Sequence, residues 1–198
     1  MIASAVAGFS SSFGLIVAIG AQNAFVLKQG LRREHVLPIV MVCAFSDALL
    51  IAAGIAGLGA LVQAHPDVVT GIRWVGAAFL GGYAFLAAKR AWRPGTLTAT
   101  QAGPSRLGAT LLTCLAFTYL NPHVYIDTVL LLGAIANQQT HRWVFGAGAA
   151  TASVVWFTML GLGAHKLAPV LARPVAWRVI DAAIATMMLG IAVALVRA

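Results

Sequence analysis

Only five of the 198 residues are acidic, and two of them fall inside apolar runs where a charge is costly. Asp47 follows Phe45-Ser46, deep within the run that begins at Val36. A carboxylate near the middle of a bilayer costs at least ~2.5 to 3.5 kcal/mol, so it calls for a partner, a water-filled cavity or a bound cation. The bland alternative is a protonated Asp47 hydrogen-bonded to Ser46 or to a neighbouring helix. Asp127 belongs to Asn121-Pro122-His123-Val124-Tyr125-Ile126-Asp127-Thr128, the most polar stretch within any apolar run. If a helix resumes after Pro122, His123 and Asp127 share a face, and imidazole next to carboxylate is suited to handling protons. The alternative is a kinked helix whose freed carbonyls are capped by Asn121 and Thr128. Gln22 and Asn23 follow Gly20 late in the first run. There they either contact a ligand beside a glycine-weakened helix or mark the end of the run. Trp156 is deep enough to line a cavity or to fill the core. Glu34 and Asp67 read as solvated loop residues, and Asp181 as the local partner of Arg178.

The elements that must position these groups are membrane helices. Hydrophobic residues make up 61% of the chain and charged ones 9%, a balance that a water-soluble domain cannot bury. Six apolar segments are predicted, at about Ala3 to Leu27, Val36 to Val62, Val68 to Ala88, Leu107 to Ala136, Trp143 to Ala164 and Val175 to Val196. The fold class is therefore all-α, a polytopic bundle of about six transmembrane helices forming one domain over 1–198. Asn121-Pro122 should break or kink the fourth span. The first span lacks the basic region of a cleavable leader and is expected to be retained.

Ten of the 13 Lys and Arg fall in alternate connections, which the positive-inside rule assigns to the cytoplasm, leaving both termini outside. Those ten are Lys28, Arg32, Arg33, Lys89, Arg90, Arg93, Arg106, Lys166, Arg173 and Arg178. Three spans per half would make 1–95 and 105–198 inverted repeats joined by a cytoplasmic loop, an arrangement common in transporters. Gly14, Ala18, Gly54, Gly57, Gly146, Ala149, Ser153, Gly161 and Gly163 are candidates for close helix approach, and for oligomer contacts. Trp74, Trp92, Trp143 and Trp177 read as interfacial anchors. The cations are interleaved with apolar runs, which argues for a lipid surface and against nucleic acid. Cys43 and Cys114 have neither a metal-ligand nor a disulfide spacing, and no nucleotide-binding or hydrolase motif occurs. Neither a metal, a cofactor nor an enzyme is expected.

The segments Gly20-Ala21-Gln22-Asn23-Ala24-Phe25-Val26-Leu27, Cys43-Ala44-Phe45-Ser46-Asp47, Asn121 to Thr128 and Ala152-Ser153-Val154-Val155-Trp156-Phe157 together resemble the LysE/ArgO exporters of lysine and arginine. The resemblance covers essentially the whole chain. Neutral amino-acid exporters related to that family typically carry Gly-Pro-Asn and Asn-Pro-Lys at the corresponding places. Here Gln22 and His123 stand instead, which favours the basic amino-acid branch.

The resemblance implies secondary-active efflux of L-lysine or L-arginine across the bacterial inner membrane, driven by protons or membrane potential rather than ATP. Asp47 and Asp127 match the family's intramembrane carboxylates, and Asn23 and Asn121 the polar residues at its helix interruptions. Gln22, Ser46, Pro122, His123, Tyr125 and Trp156 are secondary candidates. On this reading the two carboxylates face one cavity and pair with the cationic groups or exchange a proton, while amides and backbone N–H groups around Asn23 and Asn121 hold the α-carboxylate. The alternatives from other classes are an exporter of neutral amino acids or other small solutes, and a non-transporting membrane scaffold.

Overall fold

A computed structural model describes residues 1–17, 20–92, 106–167 and 174–197. The segment predicted as one retained first span is two helices, α1 (Ile2–Ile16) and α2 (Ala21–Arg32), inclined by 83°. The composition of the two arms explains the break. Between them Gly20 is extended, and α2 carries Gln22, Asn23, Lys28, Gln29 and Arg32, which lipid would not tolerate. All of α2 except Leu27 and Arg32 is buried, so this polar arm lies against protein, where broken helices are permitted.

After a left-handed pair of residues at Arg33 and His35, α3 (Val36–Ile55) runs continuously and carries Asp47. Gly57, at φ 100°, turns the chain into the short α4 (Leu58–Ala64), and α5 (Pro66–Trp92) follows. The connection predicted between the two halves lies outside the described residues, as do Ala18, Arg93 and Arg173. The next apolar run begins as α6 (Leu107–Tyr119) and breaks at Leu120-Asn121, as the proline predicts. It resumes as α7 (Pro122–Val124), a π-helical stretch over Tyr125–Leu132, and α8 (Gly133–Asn137). Then α9 (Arg142–Gly163), a 3-10 turn at Ala164–Leu167 and α10 (Pro174–Arg197) complete the chain.

Among the described residues there is no strand, and α3, α5, α9 and α10 are each long and apolar enough to cross a membrane. Phe45, Phe85 and Leu112 point outward, as a lipid-facing surface requires. Trp74, Trp92 and Trp143 are exposed as expected of interfacial anchors.

The principal contacts pair α5 with α10, α1 with α9, and α3 with both α9 and the π-helical stretch. Backbone approach sets the α1–α9 crossing. A Cβ on Gly8 would lie 2.0 Å from the Phe145 carbonyl oxygen, and one on Gly148 would lie 2.1 Å from that of Ala5. Neither glycine stood out in the sequence. Of those that did, Gly54, Gly146 and Gly161 are at tight contacts, whereas Gly14, Gly57 and Gly163 face open space. Gly8→Val is accordingly expected to destabilise the protein by roughly 1 to 3 kcal/mol or more, since backbone cannot yield as a side chain does. Gly14→Val on the same helix should melt near the wild type. Thermal unfolding of both in detergent tests the pair, and equal midpoints would refute the crossing.

At one end of the bundle the outcome departs from the sequence reading. Lys28, counted as a loop cation, is buried on α2 and donates to the carboxylate of Asp181 on α10. Arg90 at the end of α5 reaches the same carboxylate at 3.4 Å and lies over the Tyr83 ring, 5.6 Å from its centroid. Asp181 is therefore neither solvated nor paired with Arg178; it ties together the ends of three helices. The triad also puts Lys28 and Arg90, from two of the predicted cytoplasmic connections, at the same end as the start of α10. Arg32 bonds Glu34 beside it at 3.1 Å.

Candidate functional site

Both interruptions of the helices face one cavity of ≈290 Å³, near the lower limit of small-molecule sites. Asp47 enters from the middle of α3, 5% exposed, with the Ser153 hydroxyl of α9 turned toward it. Asp127 enters from the π-helical stretch and is half-buried. Gln22 and Asn23 come from the first turn of α2, and Asn121 and His123 from the second break. The four principal residues expected from the sequence, Asp47, Asp127, Asn23 and Asn121, are thus brought together, with Gln22 and His123 beside them. Among the described residues the lining includes two carboxylates and neither Lys nor Arg.

The remaining candidates lie outside its lining. Ser46 and Pro122 are buried. Tyr125 donates its hydroxyl to the Tyr119 carbonyl oxygen at 2.9 Å, satisfying an acceptor exposed by the break. Trp156 packs edge-on against Phe13 and donates its indole N–H to Asn23 Oδ1 at 3.2 Å. Asn23 in turn donates through Nδ2 to the Ile16 carbonyl oxygen at 2.7 Å. One side chain thereby holds the end of α1, the start of α2 and a residue of α9 together. Asn121 caps the second break, its Oδ1 accepting from the His123 backbone N–H at 3.1 Å. Thr128 donates to the Val124 carbonyl oxygen. Of the carbonyl-capping roles weighed from the sequence, Thr128 does reach a carbonyl, whereas Asn121 caps an N–H instead, because its oxygen can only accept; both contacts coexist with the polar cavity.

Two features escaped the sequence reading. The π-helical turn over Tyr125–Leu132 carries Asp127, and such turns recur at functional sites. Cys43 and Cys114, both fully buried and free, face each other at 3.3 Å between sulfurs and join α3 to α6.

Comparison with known proteins shows the family. The model of the family described as "LysE type translocator" matches residues 13–198. The chain belongs to the LysE-type translocators. Provisionally named amino-acid transporters of Mycobacterium bovis and Mycobacterium tuberculosis are each 56% identical over 180 residues, covering 90% of both chains. The lysine exporter LysE of Corynebacterium diphtheriae is 40% identical over 216 residues, covering 93% of this chain and 95% of its own. No solved structure matches. This LysE-type translocator is a multi-pass membrane transporter of amino acids, as its family and relatives are described.

Proposed function

We propose that the protein exports L-lysine, L-arginine or both from the bacterial cytoplasm across the inner membrane, in exchange for protons. The observation that carries this reading is the cavity lining, with two carboxylates and, among the described residues, no Lys or Arg. Such a lining disfavours anions and leaves a neutral side chain with nothing to gain from the second carboxylate. A substrate carrying two cationic groups and one carboxylate answers both acids. Arginine would pair with a carboxylate in bidentate fashion, lysine as a point charge. The name of the corynebacterial relative agrees with lysine.

Protons enter the proposal for energetic reasons. An inside-negative potential opposes outward movement of a cation by ~2.3 kcal/mol per charge per 100 mV. A proton carried inward on one carboxylate cancels that charge. Asp47 suits the proton and Asp127 the side chain, because Asp47 is the more enclosed, with Ser153 turned toward it, whereas Asp127 is half-buried beside exposed His123. Alternating access would come from inverted halves rocking about the cavity. Both halves have the same order of an interrupted segment followed by two long helices, which supports that division.

Counterflow of radiolabelled arginine and lysine in proteoliposomes, with and without a pH gradient, tests the proposal. Saturable uptake with competition by basic but not neutral amino acids is expected. In Asp127→Asn the preference for basic over neutral competitors should fall by at least about tenfold, the worth of one charge-assisted contact. Wild-type uptake that neutral amino acids inhibit equally well would replace this reading with a neutral-solute exporter.

A further inference from the structure

Two carboxylates account for the cationic groups of a basic amino acid but repel its α-carboxylate, which needs hydrogen-bond donors elsewhere in the same cavity. Of the two asparagines expected to supply them, Asn23 has both ends of its amide engaged, with Ile16 and with Trp156, while Asn121 engages its oxygen, not its Nδ2 donor, with the His123 backbone. Gln22 is different. It lines the cavity and is 9% exposed, and among the described residues its Nε2 is buried without a hydrogen-bond partner. The thiol of Cys43 is nearby, but a thiol is a weak acceptor. A buried amide with two N–H groups is retained at a desolvation cost unless something fills it.

The backbone around Gln22 points the same way. Helix α2 is 12 residues long, begins beside the cavity at an extended Gly20, and has no side-chain cap. The opening N–H groups of a helix have no partner within it, and the helix dipole makes that end attractive to anions. An unpartnered amide and an uncapped helix start therefore belong to the wall of the same cavity that Asp47 and Asp127 line.

We infer that Gln22 Nε2 and the first turn of α2 form the subsite for the substrate's α-carboxylate, with Gln22 a specificity-determining residue that separates amino acids from the corresponding amines. This inference rests on the proposed basic amino-acid export. It orients the substrate with its carboxylate toward α2 and its cationic groups toward α3 and the π-helical stretch.

Competition against labelled-arginine counterflow tests it, using arginine and agmatine, which lacks the α-carboxylate. The wild type should prefer arginine by at least about tenfold, the worth of one hydrogen bond to a charged group. In Gln22→Met, of similar size but without the donor, that ratio should collapse toward unity through weaker arginine competition, with agmatine unaffected. Retained agmatine competition also demonstrates a folded variant. If Gln22→Met does not reconstitute, Gln22→Asn, with its donor withdrawn by one methylene, decides: a reduced ratio supports the subsite and an unchanged ratio overturns it. An unchanged ratio in Gln22→Met, or a wild type indifferent to the carboxylate, equally overturns the subsite while export of basic amino acids stands. Absence of any competition by arginine or lysine in the wild type would instead bring down the functional reading and the subsite together.

Discussion

Asp47→Asn is expected to reduce concentrative export of arginine or lysine by at least about 100-fold, the cost of removing one buried charge partner being ~3 to 5 kcal/mol. Asp47 is 5% exposed in the middle of a continuous apolar helix. Holding a carboxylate there costs at least ~2.5 to 3.5 kcal/mol, which a bound proton or a bound cation offsets. These two occupants exclude one another, and that exclusion is the physical content of antiport. Asn keeps the shape and a hydrogen-bonding partner for Ser153 but binds neither occupant as a charge. Export driven by a pH gradient should therefore vanish, while exchange of substrate across the membrane persists at reduced affinity because Asp127 remains. Measuring both modes in the same proteoliposomes separates a coupling defect from a folding defect. Concentrative export at the wild-type rate in Asp47→Asn would remove Asp47 from the coupling.

Asp47 and Asp127 were legible because hydropathy makes an acidic residue in an apolar run conspicuous, whatever its neighbours. The break at Asn121-Pro122 was equally plain, since proline removes a donor and constrains the residue before it. The break after Ile16 was not. Its mark is the polarity of α2, and a polar stretch following an apolar one reads just as well as the end of a span. Only its burial against protein distinguishes the two. The π-helical turn around Asp127 leaves no compositional trace at all. Gln22 was visible as an amide, yet the inferred subsite prefers it to Asn23 only because Asn23 is engaged by Trp156, 133 residues away. Asp181 illustrates the same limit: Arg178 is its neighbour in sequence, but Lys28, 153 residues distant, is its partner in space.

That distant partnership carries the other large effect. Asp181→Asn should destabilise the protein by about 3 to 5 kcal/mol, because it leaves buried Lys28 without its counter-charge. Arg90 adds to the imbalance, although its side chain is 36% exposed and can reach water. The triad joins α2, α5 and α10, so the loss should appear as a lower unfolding temperature in detergent and a smaller monodisperse yield, with no change in substrate preference among surviving molecules. Desolvation of an ion pair roughly offsets its Coulomb attraction, so removing both charges should cost far less than removing one. The double variant Lys28→Met with Asp181→Leu is therefore expected to regain most of the stability lost in Asp181→Asn. Arg90 limits the recovery, since it keeps its charge while losing its carboxylate. An Asp181→Asn protein that melts with the wild type would mean that the three helix ends are held by apolar packing alone. The contacts of Phe117 with Phe25, Phe79 and Tyr83, at centroid separations of 5.3, 5.0 and 4.9 Å, would then be the connection to test.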